Sequence, residues 1–212
     1  MLGVALVLLD LLLLAANLAH LTADQPGEPV TIFSGPVWNG DLDGSFLELF
    51  GHLQLIGAAV VLAFLTVVRR SFLHAAWALA LLVVVVDDFA QVHELQGGLL
   101  GARLGLPAVL GLRPQDLGEL IVWGVEGVVV GVVLVVATVL ATRQQRRESV
   151  VLLGCIVVLA VFGVGVDQAH IIIEPHVPPL VATAITLLET AGELGAMTLV
   201  VLVVHRMTYA RG

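Results

Sequence analysis

Six apolar stretches, each near the roughly 20 residues that cross a bilayer as a helix, leave this chain few ways to fold. They fall at about 2–21, 46–68, 72–95, 117–141, 149–173 and 183–204. In hydrocarbon every backbone N–H and C=O must be satisfied within the protein, so such stretches become helices that pack on one another. The expected fold is all-α: a polytopic membrane bundle of six transmembrane helices, forming a single domain over residues 1–212. With 59% hydrophobic and 12% charged residues, the composition excludes an ordinary soluble domain. The first stretch lacks a basic leader and carries Asp10 at its centre, so it reads as a retained helix rather than a signal peptide.

The cations set the expected orientation. All nine are arginine. Arg69, Arg70, Arg143, Arg146, Arg147, Arg206 and Arg211 share one side under this topology, against Arg103 and Arg113 on the other. The positive-inside rule then puts both termini in the cytoplasm. The outer loop 22–45 carries Asp24, Glu28, Asp41 and Asp43 with an interfacial Trp38. Residues 96–116 are too apolar for an ordinary loop and too short and glycine-broken to span. They read as an interfacial or re-entrant segment. His20 and His176 read as loop-side surface residues, His74 takes no role, and Cys155 reads as packing.

Several chemistries are excluded at once. Without lysine there is no Schiff-base cofactor, and a lone cysteine allows neither an internal disulfide nor a cysteine metal cluster. No basic patch invites nucleic acid. The expected surroundings are the lipid bilayer, with a lipid-like substrate or a membrane partner subunit as further candidates.

The formal charge of −8 gains meaning from where the acids sit. The run Val83 to Glu94, VVVVDDFAQVHE, carries ionisable groups into a valine-rich span, where they are costly and mark a functional site by default. On one continuous helix Asp87, Gln91 and Glu94 would share a face, with Asp88 and His93 flanking it and His93 and Glu94 at the rim. The other spans carry stripes too: Asp10 and Asn17; Glu48 and His52; Glu119, Trp123 and Glu126; Asp167, His170 and Glu174; Glu189 and Glu193. At about 1.5 Å of rise per residue, most of these fall in the outer half of the bilayer, which predicts one polar cavity facing outward. So many carboxylates must be partly protonated or balanced by cations.

Histidine with aspartate and glutamate is a common ligand set for zinc, iron or manganese. The candidate metal ligands are His52, Asp87, Asp88, Asp167, His170 and Glu48, holding one or two divalent ions. Glu189, Glu193 and Glu126 are the candidate acid–base residues. Asp167-x-x-His170, with Glu48 and Glu126 as single acids, resembles the ligand logic of helical di-iron carboxylate proteins. Aspartate stands there for glutamate, and Asp88-x-x-Gln91 replaces the second Glu-x-x-His, so His52 would have to compensate. The Asp-Asp-x4-His-Glu run at Asp87, Asp88, His93 and Glu94 resembles that of uncharacterised multi-spanning bacterial membrane proteins. That resemblance implies a bacterial-type inner or plasma membrane.

Three functions stay open at this point. The first is an intramembrane metal-binding protein with its site open to the outer side, as a hydrolase or oxidase acting on a lipid-like substrate. The second is a proton or divalent-cation transporter or channel component. The third is a non-catalytic membrane subunit of a larger complex.

Overall fold

The computed structural model describes residues 1–23 and 29–209. Asp24, Glu28 and Arg211, which entered the loop and orientation arguments, lie outside the described residues. Among the described residues eight α-helices follow in chain order: α1 (Leu2–Ala23), α2 (Phe46–Arg69), α3 (Phe72–Phe89), α4 (Val92–Leu104), α5 (Pro114–Val139), α6 (Arg143–Ala160), α7 (Asp167–Ile173) and α8 (Pro179–Tyr209). Among the described residues six helical runs are long and apolar enough to cross a membrane: α1, α2, α3, α5, the run Arg143–His176 and α8. Among the described residues there is no strand, only an isolated bridge between Val109 and Leu112. The chain is an all-helical protein of membrane-spanning type.

The expected continuous helix over 72–95 is broken. α3 ends at Phe89, and Gln91 takes a left-handed conformation (φ 50°) before α4 begins at Val92. The reason lies in Asp87, whose Oδ1 accepts the backbone N–H of His93 at 2.9 Å. That N–H belongs to the first turn of α4, where helix donors lack partners, so the carboxylate caps the new helix from the last turn of the old one. Gln91 and Glu94 therefore do not extend the Asp87 face.

The chain divides into two compact units, residues 1–54 with 155–202, and residues 55–154 with 203–212. In the first, the buried residues of α1 are all polar: Asp10, Asn17 and His20. Each is tied down. Asp10 accepts from Thr198 Oγ1 at 2.8 Å and Gln54 Nε2 at 3.3 Å, and the same Nε2 also reaches Thr198 Oγ1 at 2.8 Å. Asn17 Oδ1 accepts the Gly40 N–H at 3.2 Å, and His20 Nδ1 lies 2.7 Å from the Phe33 carbonyl. His20 is thus buried in the unit rather than a surface residue. The 29–45 segment is organised around Trp38, whose ring meets Phe33 and Phe46 edge-on while its Nε1 donates to the Ile32 carbonyl at 2.8 Å.

Between α6 and α7 the helix widens into a π-helical stretch, Val161–Val166. Such stretches rephase a helix face and recur at functional sites. The packing fits the glycines here: a Cβ on Gly163 would sit 2.5 Å from Glu193 Oε1, and one on Gly192 would overlap the Phe162 ring.

In the second unit, α4 lies backbone-to-backbone on the start of α5. Gly97, Gly101 and Gly118 make this crossing; a Cβ on Gly118 would overlap the Gly97 carbonyl, and one on Gly101 would meet the Pro114 carbonyl at 2.5 Å. The α5 start is capped by Asp116, which takes the Arg113 backbone N–H and guanidinium, both at 2.6 Å, with Pro114 in the first turn. At the α2–α3 turn, Arg69 Nη1 donates to Glu148 Oε1 at 3.0 Å, and His74 Nε2 lies 3.1 Å from Glu148 Oε2. His74 is thus part of a structural ion-pair network.

Candidate functional site

The first unit gathers a histidine and four acids from three places in the sequence. α7 supplies Asp167 and His170 one turn apart, just beyond the π-helical stretch; Glu174 follows; α8 supplies Glu189; and the 29–45 loop supplies Asp41. His170 Nδ1 lies 3.8 Å from Glu189 Oε2, and both side chains are largely buried. Asp41 is within Coulombic reach of His170, Glu174 and Asp167. Asp41 is an exposed residue whose carboxyl is partly enclosed, and that partial burial raises it above its ordinary 3.8; the His170 charge opposes this, and Glu174 and Asp167 add to it.

Two atoms there are buried with no hydrogen-bond partner: His170 Nε2 and Glu189 Oε2. Neighbouring Gln168, itself buried, donates from Nε2 to Asp167 Oδ2 at 2.9 Å while its Oε1 has no partner. Buried polar atoms are nearly always satisfied, and exceptions mark strain, chemistry or a bound ion or water. Within this unit, among the described residues, no three His or carboxylate donors come within 4.8 Å of one another. These potential donors are gathered but not closed around a common point.

Glu48 and His52 sit at the start of α2 with Oε1 and Nδ1 3.7 Å apart. Ser45 and Glu48 form a capping arrangement: Ser45 Oγ accepts the Glu48 N–H at 3.2 Å, and the Glu48 carboxylate accepts the Gly44 N–H. The cap holds Glu48 over His52, which is itself 3% exposed and so cannot turn to bulk water.

The second unit holds a different arrangement. Asp87 takes the His93 backbone N–H on Oδ1; on Oδ2 it meets His93 Nδ1 at 2.9 Å and the Trp123 indole N–H at 3.1 Å. The His93 ring stacks on Trp123 with centroids 4.6 Å apart. A carboxylate on Nδ1 fixes the imidazole, whose Nε2 lies 4.0 Å from Glu94 Oε1. Asp88 is half-buried within Coulombic reach of His93. Asp87 thus serves to orient His93, which the sequence alone places at the rim. No periodicity links positions six apart on one helix, so only the break at Gln91 could have revealed the pair. Glu126 lies on α5 one turn beyond Trp123; beside it opens a crevice of about 270 Å³ lined by Leu79, Leu82, Val86 and Val92 together with Asp87 and Glu126.

Of the other residues expected to matter, Glu119 is buried and accepts from Gln115 Nε2 at 2.8 Å, a contact along its own helix. Asp41, Gln54, Gln168 and Thr198 enter the polar clusters without having been sequence candidates.

Among the described residues, six helices long and apolar enough to cross a membrane accompany buried histidines and carboxylates, which defines an all-helical protein with membrane-length helices. A family model described as a domain of unknown function (DUF8692) matches residues 1–207, and the chain belongs to that family. No curated protein and no solved structure matches it.

Proposed function

We propose that the protein binds a divalent metal ion, zinc, iron or manganese, at the histidine and carboxylates of its first unit. The proposed ligands are His170, Asp167 and Glu189, with Asp41 and Glu174 adjusting the charge. Glu48 and His52 form a pair of the same type for a second ion, and Asp88 is retained as a further candidate. Asp87 leaves the ligand set, because three donors already occupy its oxygens. The observation that carries this reading is that two buried atoms set among acids, His170 Nε2 and Glu189 Oε2, have no hydrogen-bond partner. An ion drawing in Asp167 would satisfy both and offset the acids' mutual repulsion.

In its catalytic form this site would act on a lipid-like substrate reached from the bilayer. A bound metal would supply Lewis acidity for hydrolysis or, as iron, oxygen chemistry for oxidation. Glu193, held against Gly163 of the π-helical stretch, is the proposed general base there. Glu126 belongs to the other unit and is the acid–base candidate on that side. Elemental analysis after gentle purification tests the reading: the wild type should carry metal and His170→Ala should carry much less. Wild type as empty as the variant would overturn it.

A second reading is favoured by one observation, the buried Asp10–Gln54–Thr198 network, in which Gln54 Oε1 has no partner. A carboxylate held by neutral donors inside a span suits proton or cation transfer. Proteoliposome flux that disappears in Asp10→Asn would support it; flux indistinguishable from empty vesicles would exclude it.

A further inference from the structure

We propose that the crevice beside α3 and Glu126 binds a bilayer-soluble cationic amphiphile, with Glu126 as the counter-charge to its head. The inference concerns the second unit alone and needs no metal.

Four features of the crevice support it. Its walls are apolar, formed by Leu79, Leu82 and Val86 on α3 and Val92 at the start of α4. Leu79, Leu82 and Val86 are exposed, so the opening faces whatever surrounds α3, which for a spanning helix is acyl chain. Its polar groups are two carboxylates, Asp87 and Glu126, with no arginine among the lining residues. Of these, only Glu126 is uncommitted. Asp87 is bound by His93 and Trp123, and it shares its charge with the imidazole. No hydrogen bond reaches Glu126 among the described residues, although it lies within Coulombic reach of both Asp87 and His93.

Glu126 stands twelve residues into α5 from Pro114, about 18 Å along the axis. An ionised carboxylate there is costly unless a cation meets it. The crevice supplies the form such a cation must take. Its roughly 270 Å³ is just below the range of pockets that enclose drug-sized ligands, so it holds a compact head and its first carbons while the tail runs out over α3. Charge complementarity selects an ammonium over a hydroxyl, and apolar walls select a chain over a free metal ion or a hydrated cation.

The test uses the full chain in phosphatidylcholine nanodiscs, with empty nanodiscs subtracted, and two tritiated probes of equal chain length, dodecylammonium and dodecanol. Wild type should hold the ammonium over the alcohol by about ten-fold, the preference worth one modest charge contact. Glu126→Gln should lose that preference; it breaks no hydrogen bond among the described residues. Leu82→Trp, which fills the crevice and leaves Glu126 in place, should lose retention of the ammonium. Equal retention of both probes by wild type, a preference that survives Glu126→Gln, or full ammonium retention by Leu82→Trp would each overturn the proposal.

Discussion

His93 is held twice by Asp87: its backbone N–H donates to Oδ1 and its Nδ1 lies on Oδ2, both at 2.9 Å. One carboxylate thereby starts α4 and orients the imidazole. The capping function fixes where the helix turns, and the ring contact fixes how the imidazole is oriented, with Nε2 toward Glu94 at 4.0 Å.

This pair makes stability depend on pH with a definite sign. Burial lowers the His93 value, but the Asp87 hydrogen bond and charge, with Asp88 and Glu94, outweigh it, so the net shift is upward from 6.5. A raised histidine contributes stability that is fully present below its unfolded value and is lost as pH rises through the folded value. His93→Gln should therefore destabilise the protein more at pH ~6 than at pH ~9. Thermal unfolding of both proteins in one detergent across that range checks it; an equal gap at both ends would contradict the pairing.

Asp41 gives a test with two signs. Its carboxyl is raised by burial first, with Glu174 and Asp167 adding to the shift against the pull of His170. The stability tied to it is present below about pH 4 and lost as pH rises through the folded value. Without metal, Asp41→Asn should stabilise the protein at neutral pH and leave it unchanged in acid. With zinc or manganese present, the same substitution should lower apparent metal affinity. A destabilised Asp41→Asn at neutral pH in chelator would rule out the repulsive cluster.

The α4–α5 crossing depends on small residues. Gly118→Ala forces a methyl into the Gly97 carbonyl, and such overpacking costs about 1–3 kcal/mol. Gly131→Ala meets nothing within 4 Å, and alanine favours the helix by up to about 1 kcal/mol. The first should lower the unfolding temperature and the second should leave it level or raise it. Comparable losses in both would mean the crossing is not as close as described.

Among the described residues, six helices of membrane-crossing length could be read from the sequence because their signal is local: apolar length without interruption. Glu48 with His52, and Asp167 with His170, were also legible, since each pair sits one turn apart on a single helix. What stayed hidden depends on contacts far apart in the chain or on a turn without the usual markers. Asp10 meets Thr198 across 188 positions and Gln54 across 44, which no periodicity reports. Asp41 lies in a loop, where spacing carries no face. The break at Gln91 has neither glycine nor proline beside it; a left-handed glutamine is disfavoured by roughly 1 kcal/mol, which the Asp87 cap offsets.

The most direct measurement of metal binding is a titration of purified, chelator-stripped protein with Zn²⁺ or Mn²⁺ against a chromophoric competitor. Wild type should take up one or two equivalents per chain, with His170→Ala and Glu189→Gln each losing at least the tighter one. Uptake near zero in wild type, or uptake unchanged in both variants, would contradict a metal site built on His170 and Glu189.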